Sequence, residues 1–179
     1  MKAPFKKVLL CLCLVCTFLV SAQDSNTSST KPSLQNTTES NRYTTLFAAV
    51  KATEMQDILD ESGPYTVFAP SDAAFERFSN AKMEKLINAT DKSDLKSLVT
   101  YHIVPGRLTA SKILRAMCKG SGKASFTTIQ GKKLVAHMEG YDIVLTDPIG
   151  NTARITAADV NQKNGIIHEI DSVILPSKM

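Results

Sequence analysis

Hydrophobic positions along this chain change their spacing about two-thirds of the way through. From about residue 44 to roughly residue 120 they recur every three to four residues in short blocks, the period of a helix packed on one face. Thr44 or Thr45 can cap a helix over 46–53, and Met55, Ile58 and Leu59 continue at helical spacing over 55–60 until Gly63-Pro64 interrupts them. A short strand over 65–69 then ends at Pro70. Ser71 follows as an N-cap, with Asp72 in the positive first turn and Ala74, Phe75 and Phe78 on one side of the helix. Further helices are predicted over 82–87, over 94–101 behind a Ser93 cap, and over 111–117.

Beyond the 119–123 loop the period becomes two. Strands are predicted over 125–130, 133–138, 141–146, 153–157 and 166–175, separated by Gly131-Lys132, Glu139-Gly140 and the turns 147–151 and 161–165. Connections this short imply mostly antiparallel pairing, and helices followed by strands imply an α+β domain. In the last strand one face carries Ile166, His168, Ile170 and Ile174, and the other Ile167, Glu169, Asp171, Val173 and Leu175. Both faces are largely apolar, so the strand is expected at the centre of the sheet. His168 then sits among isoleucines, where an unpaired imidazole is costly, and a hydrogen-bonded core histidine is preferred over a metal ligand or base.

Composition changes this picture mainly at the N-terminus. The chain has 179 residues, 21 Lys plus Arg against 17 Asp plus Glu, a net charge of +4 and four cysteines. Residues 1–22 read as a secretory signal: Lys2, Lys6 and Lys7, then the apolar run 8–20, then Ser21-Ala22. The run is too short to span a bilayer. Removing it takes away Cys11, Cys13 and Cys16 and leaves 18 basic against 17 acidic residues, a net of +1. A lipid anchor on Cys16 is the alternative, although Cys13-Leu14-Val15 lacks the small residue expected before such a site. Residues 23–41 hold nine Ser or Thr and read as a flexible spacer, and the globular domain is expected over 42–179. Asn26, Asn36 and Asn88 open glycosylation triplets that a eukaryotic host would recognise.

Two blocks carry a resemblance. Gly63-Pro64-Tyr65-Thr66-Val67-Phe68-Ala69-Pro70-Ser71-Asp72-Ala73-Ala74-Phe75 and Asn164-Gly165-Ile166-Ile167-His168-Glu169-Ile170-Asp171-Ser172-Val173-Ile174-Leu175-Pro176 resemble the signature blocks of the fasciclin-like (beta-Ig-h3) domain family. Between them, Leu98-Val99-Thr100-Tyr101-His102-Ile103-Val104-Pro105-Gly106 resembles the family's central Tyr-His segment. The resemblance runs from about Tyr43 to Pro176. It implies an α+β fold with a β-wedge of mostly antiparallel strands flanked by short helices, and a role in extracellular adhesion or binding. It marks Thr66, Phe68, Pro70, Asn164, Gly165, His168 and Asp171 as structural signature positions. Read from the residues themselves, Asp171 is expected to partner loops of the first block. The resemblance also implies partner contact at Tyr101 and His102, although their aliphatic neighbours favour packing. A second adhesive segment of the family corresponds to Ala157-Ala158-Asp159-Val160-Asn161, where Asp159 and Val160 remain but the family's acid, proline and methionine are replaced. The plain alternative there is a turn with Asp159 solvated or capping.

Catalytic and metal motifs are weak. Gly120-Ser121-Gly122-Lys123-Ala124 has Met117 and Ala124 where a phosphate loop needs Gly and Ser or Thr. There is no G-x-S-x-G, H-E-x-x-H or zinc-spaced Cys pair, and His102, His137 and His168 are scattered. Nucleic-acid binding lacks a basic cluster in this reading. The expectation is a non-enzymatic extracellular binding module without cofactor or metal, whose partner is an extracellular protein or glycan or a cell-surface receptor. Alternatives are a pocket for a small molecule or saccharide, and a hydrolase using His168 with Asp171. Cys118 is expected to be a half-buried apolar side chain at a helix end, with an intermolecular disulfide as the sharper alternative.

Overall fold

The structure, a computed structural model, describes residues 42–177. The expected signal, the spacer, Cys16, Asn26 and Asn36 lie outside the described residues. In chain order the elements are α1 (Thr44–Ala52), α2 (Gln56–Glu61), β1 (Tyr65–Pro70), α3 (Asp72–Phe78), α4 (Asn80–Asn88), α5 (Ser93–Tyr101), β2 (Ile103–Pro105), α6 (Ala110–Lys119), β3 (Lys123–Thr127), β4 (Lys133–Glu139), β5 (Asp142–Thr146), β6 (Thr152–Gln162) and β7 (Gly165–Ile170). They form the expected α+β wedge. Its sheet runs β2-β1-β7-β6-β5-β4-β3, with every pairing antiparallel except β1 with β7. The two edges approach each other just past β3, where Ile129 N–H donates to the Ile103 carbonyl of β2 at 2.8 Å.

β7 is central, and all six of its residues are buried. Alternation along β1 and β7 explains this, because each strand feeds a core on either side. Val67 and Ala69 of β1 and Ile167 of β7 pack with Leu46, Val50, Phe75, Leu95 and Leu98 of the first helices. Phe68 and Ile170 point the other way, toward Tyr101, Ile113 and Met117 and the inward side chains Leu134, Ala136 and Leu145 of β4 and β5.

Several boundaries differ from expectation, each for a local reason. The last strand stops at Ile170 because Asp171 N–H turns back onto the Arg154 carbonyl at 3.1 Å, and the Asp171 carboxylate accepts the Arg154 N–H at 2.8 Å. The strand expected over 153–157 runs on to Gln162, because bulges between Ile155 and Val160 absorb the mismatch against β7. Thus Asp159 lies in a bulged strand rather than a turn, at φ 63°, a conformation Asp tolerates better than most residues.

Caps also come from unexpected places. No side chain caps α1 from its own N-cap position; the Asp72 carboxylate accepts Thr44 N–H at 3.1 Å, Thr44 Oγ1–H at 2.6 Å and Thr45 N–H at 2.9 Å. Ser93 lies inside α5 rather than before it, and Asp91 accepts its N–H at 2.8 Å. Ser71 caps α3 as expected, accepting from Ala74 N–H. Cys118, in the last turn of α6, is exposed rather than half-buried, because Ile113 and Met117 hold the buried stripe of that helix.

Candidate functional site

Three of the residues singled out in the sequence converge on one short segment, the stretch 106–110 leading into α6. Thr66 Oγ1–H donates to the Gly106 carbonyl at 2.6 Å, and the same oxygen accepts Leu108 N–H at 2.8 Å. His168, across the parallel β1–β7 pairing from Phe68, stacks on that ring with centroids 5.6 Å apart. Its Nε2–H donates to the Leu108 carbonyl at 2.7 Å, and its Nδ1 accepts Asp159 N–H at 3.3 Å. The Asp159 carboxylate accepts Ala110 N–H at 2.9 Å, satisfying an open donor in the first turn of α6. Asp159 therefore caps a helix, and the bulge with its positive φ is what aims it there.

His168 is held neutral by this arrangement. Burial pushes its pKa down, against the opposing pull of the Leu108 carbonyl and the Asp159 charge. Protonated Nδ1 would also place an N–H against the Asp159 N–H. Neither ring nitrogen has a lone pair or proton left for catalysis. Asp171 is engaged by Arg154, so the two do not form a base dyad. Rather than its carboxylate, the Asp171 backbone carbonyl meets the helix after the first block, accepting from Arg77.

His102 repeats the design elsewhere. It is 1% exposed, its Nδ1–H donates to the Leu98 carbonyl at 2.8 Å, and its Nε2 accepts Ile174 N–H at 3.4 Å. Burial lowers its pKa to about 4, with the Leu98 carbonyl opposing. The Tyr101 ring is fully buried, and its hydroxyl donates to the Lys133 carbonyl at 2.9 Å. Burial first, and the Asp147 charge second, raise its pKa and keep it a neutral donor. Both side chains therefore serve the interior and offer no surface to a partner. Val160 is half-buried, pairs with Ile167 and packs on the first core cluster.

The remaining signature positions lie at the ends of β1 and β7. Gly165 faces Tyr65 so closely that a Cβ there would sit 1.9 Å from the Tyr65 carbonyl oxygen. The Asn164 side chain donates to the Asp60 carbonyl, and the Asn164 backbone carbonyl accepts Tyr65 N–H at 2.9 Å. Pro70 ends β1 opposite Ile170, where its missing N–H interrupts no further pairing.

Two buried acids escaped the sequence reading. Glu169 accepts Tyr43 Oη–H at 3.0 Å and Thr156 Oγ1–H at 2.9 Å and pairs with Arg42 at 3.2 Å. Asp147 accepts Ile149 N–H, Asn151 N–H, Asn151 Nδ2–H and Leu175 N–H at 2.8–3.0 Å. Glu169 was visible as an acid in an apolar strand, a position that demands a partner; its partner 126 residues away was not. Among the described residues no cluster of His, Cys, Asp or Glu could hold a metal ion, and no helix is long and apolar enough to cross a membrane.

Comparison with known proteins gives a consistent result. The Fasciclin domain family model matches residues 41–176. Protein sll1483 of Synechocystis sp. is 36% identical over 134 residues, covering 75% of this chain and 67% of that protein. Cell surface glycolipoprotein MPB83 of Mycobacterium bovis is 31% identical over 114 residues, covering 64% of this chain and 44% of its own length. Human periostin is 26% identical over 136 residues, or 76% of this chain and 15% of periostin. Among solved structures, a FAS1 domain pair from the insect cell adhesion molecule Fasciclin I superposes with a TM-score of 0.58 at 24% identity, covering 76% of this chain and 46% of that one. That likeness bears on the fold.

Proposed function

From its membership of the fasciclin domain family, to which this chain belongs, we propose that it is a secreted or cell-surface module that binds extracellular partners and catalyses no reaction. The carrying observation is the closure of both buried histidines, His102 and His168, onto backbone groups, which leaves the chemistry-bearing residues of the signature blocks as fasteners. A relative described as a cell surface glycolipoprotein supports the extracellular setting. In this reading residues 1–22 direct export, 23–41 act as a spacer, 42–179 form the working domain, and Cys16 is the alternative lipid tether. Exposed Cys118 is the position for a disulfide-linked dimer. Partners meet the surface of the domain, at Asp159 and Val160 through their solvent-facing atoms rather than at Tyr101 and His102. The purified domain immobilised on a plate is expected to retain cells, matrix proteins or glycans above a denatured control. Retention of none of them overturns the reading.

The pocket-binding alternative is narrowed by cavity size. The cavity beside Leu59, Tyr65 and Ile167 holds about 30 Å³ and that beneath Tyr43 and Leu46 about 20 Å³, room for little more than a water molecule. Grooves of useful size lie on the surface, one of about 450 Å³ beside Arg77 and Ser172 and one of about 370 Å³ on the strands β3 to β5.

A further inference from the structure

The near-zero net charge of the domain conceals a segregation. Residues 42–94 carry six Lys or Arg and nine Asp or Glu, and residues 139–177 carry two and six. Between them, residues 95–138 carry eight Lys or Arg and no acid at all. Of its cations, Lys112, Arg115 and Lys119 lie on α6 and Lys123 and Lys133 on β3 and β4, with Lys132 in the turn between those strands, so six of the eight gather toward the β3 edge of the sheet, while Lys96 lies on α5 and Arg107 before α6.

Strand register decides which of them converge. Lys123 of β3 stands opposite His137 of β4, Ser125 opposite Val135, and Thr127 opposite Lys133. Val135 in turn faces Thr146 of β5. Alternate residues Ala124, Leu134, Ala136 and Leu145 are buried beneath, so the first set forms the outward face of the sheet. There Lys123, Lys133, Val135, His137, Thr146 and Pro148 line the groove of about 370 Å³. Lys133 Nζ–H donates to Thr127 Oγ1 at 2.7 Å, and His137 Nδ1 lies 3.4 Å from Thr146 Oγ1. The Lys123 side chain forms no hydrogen bond or ion pair among the described residues. The one acid at the rim, Asp147, has its carboxylate occupied by four N–H donors.

We propose that this outward face of β3 to β5 is a binding groove for an anionic glycan, one bearing sulfate or uronate carboxylate groups. Lys123 and Lys133 meet the anionic groups from two ends, and His137 and Thr146 supply hydrogen bonds between them. Four residues of β4 separate the Lys123 row from Lys133, about 13 Å at a strand's rise. That span suits a chain with repeated charges better than one small anion. Val135 and Pro148 provide an apolar floor for the C–H face of a sugar ring. No Phe, Tyr or Trp side chain lines the groove, whereas single-stranded nucleic acid is held by stacking successive bases on such rings.

The inference deepens the binding-module reading and rests on it, and the test separates the two. The purified domain is titrated calorimetrically with a sulfated heparin-derived oligosaccharide, with a hyaluronan oligosaccharide that carries carboxylates alone, and with neutral dextran. Binding to at least one anionic glycan and none to dextran is expected, and the two anionic arms identify which group is recognised. Lys123→Gln with Lys133→Gln should weaken that binding about tenfold or more, as loss of paired charge contacts does. Lys51→Gln with Lys85→Gln removes the same charge from the helical side and should change it less than about twofold. Equal losses in both variants, or no binding to either anionic glycan, overturn the proposal. Lys123→Gln alone, which breaks no contact of the fold, keeps the test valid should the double variant melt early. Persistent retention of cells or matrix proteins without glycan binding refutes the groove and leaves the module reading standing.

Discussion

The helical side of the domain and its outer strands use polar side chains in opposite ways. Around β1, β7 and the helices, Thr66, His102, Asp159, His168 and Glu169 point inward and are each consumed by a backbone or side-chain partner. On the outward face of β3 to β5, Lys123, Lys133, His137 and Thr146 sit in an open groove and hold little of the fold together. The signature blocks lie wholly in the first region. A recognisable motif here therefore records what a central, fully buried parallel pair requires, and recognition chemistry collects where no motif announces it.

The sharpest way to break this contrast is at the tightest point of the first region. Gly165→Ala places a Cβ 1.9 Å from the Tyr65 carbonyl oxygen, which is backbone and cannot rotate away. β1 and β7 would have to separate at their first pairing, and a loss of about 3 kcal/mol or more is expected in urea unfolding. A variant with an unchanged midpoint would show that the parallel pair is not the structural centre.

Acid provides the second test. The folded pKa of His102 is lowered to about 4 from its ordinary 6.5, so the unfolded chain binds protons first as pH falls. Stability from this group is fully present above pH 6.5 and is lost as pH falls toward 4. At 1.36 kcal/mol per unit the step amounts to about 3 kcal/mol. His168, shifted in the same direction, steepens it. Urea midpoints that stay flat from pH 7.5 to 4.5 would contradict the buried neutral imidazoles, whereas a His102→Gln, His168→Gln protein should lose most of the step.

How much of this was legible before the structure follows from the range of each interaction. The switch from helical to alternating period, the Ser71 cap and the central last strand depend on near neighbours, and all were readable. Asp72 reaching back 28 residues to α1, and Glu169 meeting Tyr43 126 residues away, depend on the fold itself. Asp159 was singled out, yet its capping of α6 requires a bulge that no local signal marks. The groove was hidden for a related reason. Lys123 and His137 become neighbours only through the β3–β4 register, and a whole-chain charge sum cancels the surplus of their stretch against acids before and after it.

Tyr101 offers the smallest and most discriminating test, because it joins the two regions. Its ring belongs to the interior, while its hydroxyl donates to the carbonyl of Lys133, a residue whose side chain lines the groove. Tyr101→Phe keeps the ring and removes one neutral hydrogen bond, for an expected cost of about 1 kcal/mol in thermal or urea unfolding. Lys133 keeps its register opposite Thr127 in the β3–β4 pairing, so the Lys133 side chain should keep its place. Glycan affinity is then expected to change less than about twofold, as for sites that do not share a side-chain partner. A tenfold loss of affinity accompanying that small loss of stability would mean that the buried tyrosine positions the groove, and the boundary between fastening and recognition would have to be moved inward to include it.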